Sequence, residues 1–411
     1  MDRTWRGRLT RFNAAALAFF RRRLTVLGAL VAAGTVASAG LGIDTTRNME
    51  YQLFTLLASL LALSNLANLF WRPKLAAAWR PPRHATAGAP FFAALTVENR
   101  GRAPLRGVEA SAASPGAYAD DTPLPDLLPG ASATVSVRLL PERRGRLRLG
   151  SPVFLRADPL GLRRARRTAG DPASVLVLPR RYPVDALSLP GRRRHQPGGV
   201  TLASSVGESQ EFVSLRDYRS GDPLRKIHWR SWAKAGRPIV KETQEEHFVR
   251  HALALDTAGD HGAVFEEAVS VAASFAAGTT APDSLLDLLF VGTQSYCFTS
   301  GRGLGGSDGL LEVLAGVEPR PEKPFKELAD SLLRRRAALS GSVLVLLGLD
   351  DERRAFVRRL RASGFPTLAL VVRPAGAPAL EPEPGVRFIS VGDAARGLAG
   401  LLTRRTPRGA A

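Results

Sequence analysis

The chain predicts three blocks in series: a membrane hairpin of two transmembrane helices, an all-β sandwich-like domain, and an α/β domain on a doubly wound, mostly parallel sheet. Three observations predict them. Residues 24–43 and 51–71 carry no charged side chain; short alternating runs broken by Gly and Pro turns fill 90–180; and from about 247 onward, apolar runs of strand length alternate with helical ones.

Each uncharged run matches the roughly 20 residues needed to cross the hydrocarbon core of a bilayer. A secretory signal would be shorter and would not be followed at once by a second apolar run. Residues 1–23 carry Arg3, Arg6, Arg8, Arg11, Arg21, Arg22 and Arg23, and Arg72, Lys74, Arg80 and Arg83 follow the second run, whereas the connection holds only Asp44, Arg47 and Glu50. Basic flanks stay on the cytoplasmic side. The expectation is therefore a multi-pass protein of the bacterial inner membrane, with both termini and all soluble domains in the cytoplasm. Gly34, Ser38 and Gly42 share one helical face, a spacing that lets two helices approach closely.

A Pro/Ala-rich connector leads to the β block. Residues 91–99, 134–139, 146–149, 153–157 and 174–178 are strand-like, with Leu95 and Val97 on one face and Thr96 and Glu98 on the other. Asn99-Arg100-Gly101, Pro115-Gly116 and Pro129-Gly130 mark turns between them. Short strands at this spacing point to a small antiparallel sandwich. Residues 181–206, rich in Pro, Gly and Arg, form a linker.

The third block, 247–405, begins with a strand at 251–255 and a helix at 264–277. Strands are expected at 285–291, 296–298, 343–347, 368–372 and 387–390, with helices at 307–315, 325–339, 352–362 and 394–402. The unbroken run Val343-Leu344-Val345-Leu346-Leu347 is the mark of a strand covered on both faces. Strands alternating with helices make a doubly wound sheet.

Composition narrows the function. With 57 Lys and Arg against 37 Asp and Glu, the net charge is +20, which admits a nucleic-acid or anionic-surface partner. The arginines are scattered, however, and no nucleic-acid motif gathers them. The single cysteine, Cys297, excludes an internal disulfide and a Cys-based zinc site.

Residues 207–246 interleave charges with aromatics. Glu211-Phe212 precedes Leu215-Arg216-Asp217-Tyr218, then Gly221-Asp222-Pro223, then Arg225-Lys226-Ile227-His228-Trp229, and finally Lys241-Glu242. A flexible linker would lack these aromatics. Arg216, Arg225, Asp217 and Asp222 suit an ion-pair network around a turn at Gly221. Glu211, Asp217, Asp222 and His228 also supply groups for acid–base chemistry, but no nucleophile elbow, P-loop or metal spacing accompanies them. The segment reads as a scaffold docked on the next domain, or as a surface that recognises a partner protein.

At these residues the chain resembles the bacterial family called domain of unknown function 58. The resemblance extends over the chain, including Arg143-Arg144-Gly145 and Asp158-Pro159-Leu160-Gly161-Leu162 in the β block. It implies a membrane-anchored protein whose last domain is similar to the von Willebrand factor A fold, with a MoxR-type AAA+ ATPase as partner. That fold carries Mg2+ on an Asp-x-Ser-x-Ser run, a Thr and a later Asp. Here the run is Asp256-Thr257-Ala258-Gly259-Asp260: Asp256 matches, Ala258 brings no oxygen and Asp260 replaces the second serine. Asp350 stands in the place of the later Asp, and Thr293 and Thr299 are the threonines near the expected loop. The resulting expectation is a non-enzymatic, membrane-tethered adaptor: Asp256, Asp260 and Asp350 are the candidate ligands of a degenerate Mg2+ site, but with two hydroxyl ligands missing or altered the favoured reading has Asp256 capping the turn that follows it and the fold serving as an interaction platform. Two other readings remain: a metal-dependent hydrolase on those three aspartates, and a nucleic-acid-binding protein using the arginine surplus.

Overall fold

Among the described residues, two helices come first in the structure, a computed structural model: α1 (Val26–Leu41) and α2 (Asn48–Phe70). The residues it describes are 24–41, 48–70, 73–112, 114–184, 212–222, 224, 227–243, 249–260, 262–278, 284–301, 307–378, 381 and 383–399. The chain divides into two units, Met1–Leu178 and Pro179–Ala411.

The expected membrane hairpin is overturned, because no described helix is long and apolar enough to cross a membrane. The 16 residues of α1 rise only about 24 Å, short of a hydrocarbon core about 30 Å thick. The 23 residues of α2 are long enough, but Gln52, Thr55, Ser59, Ser64, Asn65 and Asn68 recur along it and dilute its apolar character. The membrane location and membrane partner expected from sequence rested on that hairpin. The small-residue face does bring the helices close: a side chain on Gly34 would meet Leu57 of α2 at 3.3 Å. Residues 1–23, with their arginines, and Gly42 lie outside the described residues.

Both helices are held to the β block. Thr25 donates through Oγ1 to the carbonyl oxygens of Gly161 and Leu162, and its own backbone N–H donates to Leu162 O at 3.0 Å. Asp158, 4% exposed, accepts the N–H of Leu162 at 2.8 Å on Oδ1, and Ser64 of α2 donates to its other oxygen. The Asp-Pro-Leu-Gly-Leu turn is thus closed by its own aspartate, and a charge-assisted hydrogen bond of this kind contributes about 1.5–3 kcal/mol.

The strands of this unit are β1 (Leu75–Arg80), β2 (His84–Thr86), β3 (Phe91–Asn99), β4 (Val108–Ser111), β5 (Ala117–Ala119), β6 (Thr122–Pro123), β7 (Ser132–Pro141), β8 (Gly145–Leu149), β9 (Val153–Ala157), β10 (Arg164–Thr168) and β11 (Ala173–Leu178). They form sheets ordered β1-β3-β7-β5, β10-β9-β4-β6 and β2-β11-β8, antiparallel apart from the β2/β11 pair. The alternation in β3 buries Ala93, Leu95 and Val97 while Phe92 points outward, and these pack with Val137, Leu139, Leu149 and Phe154 in one core. Full burial of such side chains stabilises by about 1.5–3 kcal/mol each. The sheets begin before the expected start at 90: β1 pairs along β3, and β2 lies inside the Pro/Ala-rich stretch read as a connector.

The second unit holds a separate two-stranded arm and a large sheet. In the arm, β12 (Phe212–Asp217) pairs antiparallel with β13 (Ile239–Thr243), and helix α3 (Trp229–Ala235) lies between them. The sheet comprises β14 (Val249–Leu255), β15 (Ser284–Val291), β16 (Ser295–Ser300), β17 (Gly341–Leu346), β18 (Thr367–Arg373) and β19 (Val386–Ser390), in the order β16-β15-β14-β17-β18-β19. Only the β15/β16 hairpin is antiparallel. Helices α4 (Ala263–Gly278), α5 (Ser307–Gly316), α6 (Phe325–Arg335), α7 (Asp351–Ala362) and α8 (Ala394–Ala399) complete it. One face buries Ala252, Ala254, Leu344 and Leu346 against Leu328 and Leu332 of α6 and Val357 and Leu360 of α7. Leu253, Leu255, Val343 and Val345 are buried as well, so the central strands are covered on both faces, as an all-apolar run requires. The chain leaves β14 toward β15 on one side and returns to β17 on the other. The carboxyl ends of β14 and β17 therefore form the switch point at which open α/β sheets place their ligands.

Candidate functional site

At this switch point the residue just past β14 is Asp256, which is 1% exposed. Its Oδ1 accepts the N–H of Ala258 at 3.0 Å, closing a tight turn, and Oδ2 accepts the N–H of Leu347, just past β17, at 3.1 Å. Gly259 allows the turn to lie against the neighbouring strand, since a Cβ there would fall 2.6 Å from Leu347 Cδ1. Asp350 caps α7: its backbone is extended, and Oδ1 accepts the N–H of Arg353 at 2.8 Å. Asp351 and Glu352 follow in the first turn, where negative charge meets the positive end of the helix.

Between the two aspartates lies the side chain of Arg353, only 11% exposed. Its Nε donates to Asp256 Oδ2 at 2.7 Å, Nη1 donates to Asp350 Oδ2, and Nη2 donates to the carbonyl of Ala258 at 3.1 Å. The guanidinium carbon stands 5.0 Å above the ring centroid of Phe325. Burial by itself would lower the pKa of this guanidinium, but the hydrogen bonds and charges of Asp256 and Asp350 outweigh it and push the pKa up. A positive charge is thus fixed where the resemblance places a divalent ion.

The residues present do not fit that ion. Mg2+ takes oxygen ligands in near-octahedral geometry, yet both oxygens of Asp256 already accept hydrogen bonds and Arg353 fills the space toward Asp350. Asp260 is exposed. Thr299 donates to Asp287 at 2.7 Å and Thr293 Oγ1 lies 3.0 Å from the hydroxyl of Tyr296, so both threonines are engaged elsewhere. Among the described residues, no group of three or more His, Cys, Asp or Glu side chains is placed to hold a metal.

The arm is built differently. Arg216 on β12 reaches Asp222 with both terminal nitrogens, at 2.7 and 2.8 Å, a fork-to-fork pair that brackets the turn. Gly221 makes this turn possible at φ +106°, a conformation that side-chain-bearing residues rarely adopt. The Arg216 hydrogen bonds, followed by the backbone N–H of Arg219, hold the Asp222 carboxyl down at about 2. Asp217 pairs with Arg237 at 3.1 Å in the open, and Tyr218 donates its N–H to Pro238 O. His228 precedes α3 with Nδ1 2.6 Å from Ser231 Oγ. The acid–base candidates Asp217, Asp222 and His228 thus each engage a different partner. Ile227 and Val240 are buried, but no residue of α3 is. Trp229 is 63% exposed and stacks on Trp232 with centroids 5.2 Å apart. Glu211 and Arg225 lie outside the described residues, as do the side chains of Phe212 and Lys241.

Besides Arg353, three groups escaped sequence reasoning. Asp287, 1% exposed in β15, is gripped by Arg250 at 2.9 and 3.1 Å. The only hint of it was a charged residue inside an apolar strand. His251, next in β14, is 5% exposed with Nε2 lacking a partner, and burial lowers its pKa. Tyr182 donates its hydroxyl to Glu267 at 2.6 Å; burial and then that carboxylate push its pKa up to about 12. A surface cleft of about 560 Å³ beside α7 presents Arg354, Arg358, Glu381 and Glu383, but Arg354 already pairs with Glu383 at 2.9 Å.

Comparison with known proteins bears on the arm and the sheet together. Residues 214–375 match the family described as protein of unknown function DUF58. No curated protein matches the chain. Among solved structures, the chain is similar to the CARDB domain of PF1109 from Pyrococcus furiosus, at 12% identity and TM-score 0.16, covering 26% of this chain and 95% of that one. It is also similar to PapD-like domain 7 of human CEP192, at 15% identity and TM-score 0.17, covering 26% and 87%. Likenesses at these scores carry no inference.

Proposed function

Taking the DUF58 match over residues 214–375 as the premise, we propose that the chain is a non-enzymatic adaptor. It docks a partner protein on the arm β12–α3–β13, and a MoxR-type AAA+ ATPase is the partner class. The observation that carries this reading is Trp229, a large aromatic left 63% exposed on a helix with no fully buried residue. Trp and Arg are the residues that dominate protein-binding hot spots.

The surroundings support the same reading. Leu215 and Leu224 are exposed near Trp229 in sequence, as are Arg219, Arg230 and Lys234. Such a surface suits an acidic segment with apolar side chains, since complementary charge sets both partner choice and association rate. The Arg216–Asp222 fork stiffens the arm before binding, which reduces the entropy lost on association. The partner class rests on the resemblance of the 207–246 motif. Assembly or maturation of protein complexes is the process such an ATPase–adaptor pair would serve.

Capture of a MoxR-type ATPase by the full chain, in ATP and in ADP, tests the proposal. We expect nucleotide-dependent capture that Trp229→Ala weakens by at least about tenfold, the effect of losing a hot-spot aromatic. Absence of capture in both nucleotide states removes this partner; capture indifferent to Trp229 removes the arm as the docking surface.

A further inference from the structure

We propose that the switch point of the sheet carries its own cation: the Arg353 guanidinium takes the place of a divalent ion between Asp256 and Asp350, so that this sheet end is assembled without metal. The inference is independent of the docking role of the arm.

The geometry supplies each part of the argument. A metal between two strand-end carboxylates would neutralise them and draw the β14 turn and the start of α7 together. Arg353 does both, donating from Nε to Asp256, from Nη1 to Asp350 and from Nη2 to Ala258 O, which ties the turn, the strand end and the helix cap into one network. The guanidinium is planar and permanently charged, and its fork matches carboxylates, so it suits a fixed position in a way a lysine would not. It is also confined: Phe325 covers one side of it, and the residue as a whole is 9% exposed. A bound Mg2+ would have to displace this charge from a buried carboxylate and then find oxygens that Ala258 does not offer. The helical position of the arginine sets its role, because Arg353 sits three residues beyond the capping Asp350, where a side chain faces back over the first turn.

Titration of the full chain with Mn2+, followed by electron paramagnetic resonance and by melting temperature, decides the matter. The wild type is expected to hold no Mn2+ at this site and to melt at the same temperature in Mn2+ as in a chelator. Arg353→Met, which keeps the apolar stem against Phe325 but removes the charge, is expected to melt lower. It should be raised again by Mn2+, with affinity at least about tenfold above wild type. That gain should vanish in the Asp256→Asn, Arg353→Met double variant. Stoichiometric Mn2+ on the wild type, or a chelator that lowers its melting temperature, overturns the proposal. So does an Arg353→Met protein that folds but gains no Mn2+. If Arg353→Met does not fold, the wild-type titration decides alone: bound Mn2+ overturns the idea, and a metal-free protein with chelator-insensitive melting supports it.

Discussion

Two of the guanidinium–carboxylate sites of the second unit use the same chemistry in opposite settings. Arg353 meets Asp256 where the carboxylate is 1% exposed, and the hydrogen bonds from Arg353 and Leu347 to Asp256, and from Arg353 to Ala258 O, join separate elements of the sheet. Arg216 meets Asp222 across one turn, with the two side chains 35% and 17% exposed, a half-buried pair that water reaches from one side. Removing one partner of a buried pair strands the other charge in a poorly solvated interior, whereas a pair that water reaches loses less, because water takes over part of the partner's role. The sheet end is therefore a structural knot, and the arm is a shaped surface that unfolding equilibria scarcely register.

This contrast is open to attack, beginning with the largest effect. Arg353→Ala should destabilise the chain by about 3–5 kcal/mol, the cost of breaking a buried ion pair on one side, read by denaturant unfolding. A loss as small as that from a surface substitution would erase the distinction. Trp229→Ala should leave unfolding unchanged while costing about 2 kcal/mol in partner binding; a drop in melting temperature would show the arm to be part of a core. The pH response separates the regions further. The pKa of His251 is lowered from 6.5 by burial, so the unfolded chain binds the proton more readily. The stability this confers is complete above pH 6.5 and is lost as pH falls toward the folded value, by up to about 1.4 kcal/mol per pH unit. His251→Phe should flatten that part of the stability–pH curve.

The smallest effect is at the arm. The Asp222 carboxyl is lowered from 3.8 to about 2, so its contribution is present above about pH 4 and lost as pH falls through 2. Nuclear magnetic resonance of the Arg216 side chain should show the fork intact at pH 4, long after His251 has begun to weaken the sheet. Release of the fork at higher pH would mean that Arg216 does not hold this carboxylate.

How much of this was legible beforehand differs by region. The sheet was, because continuous apolar strands and intervening amphipathic helices leave a periodic trace: the run from Val343 is β17, and the helix expected at 264–277 is α4. The pairing of Asp222 with Arg216 was partly legible, since both flank a Gly-Asp-Pro turn. Arg353 was not. It is one arginine among many on a helix whose other arginines, such as Arg358 and Arg359, are exposed, and only the fold brings it to Asp256, 97 residues earlier. The paired apolar runs near the N-terminus showed where helices form. The polar side chains spaced along α2, by contrast, lower its apolar character, and a reading based on the absence of charge does not register them.

The anchoring of Tyr182 bears on where the second unit begins. Its N–H donates to Ser274 at 2.8 Å and its hydroxyl to Glu267, so the short segment that opens the second unit is stitched along two turns of α4. A fragment that starts at residue 185 would strip α4 of that stitching and leave the buried Ser274 hydroxyl without its donor. A nick downstream of Val184 should consequently be tolerated, whereas a fragment of the second unit should start no later than Tyr182.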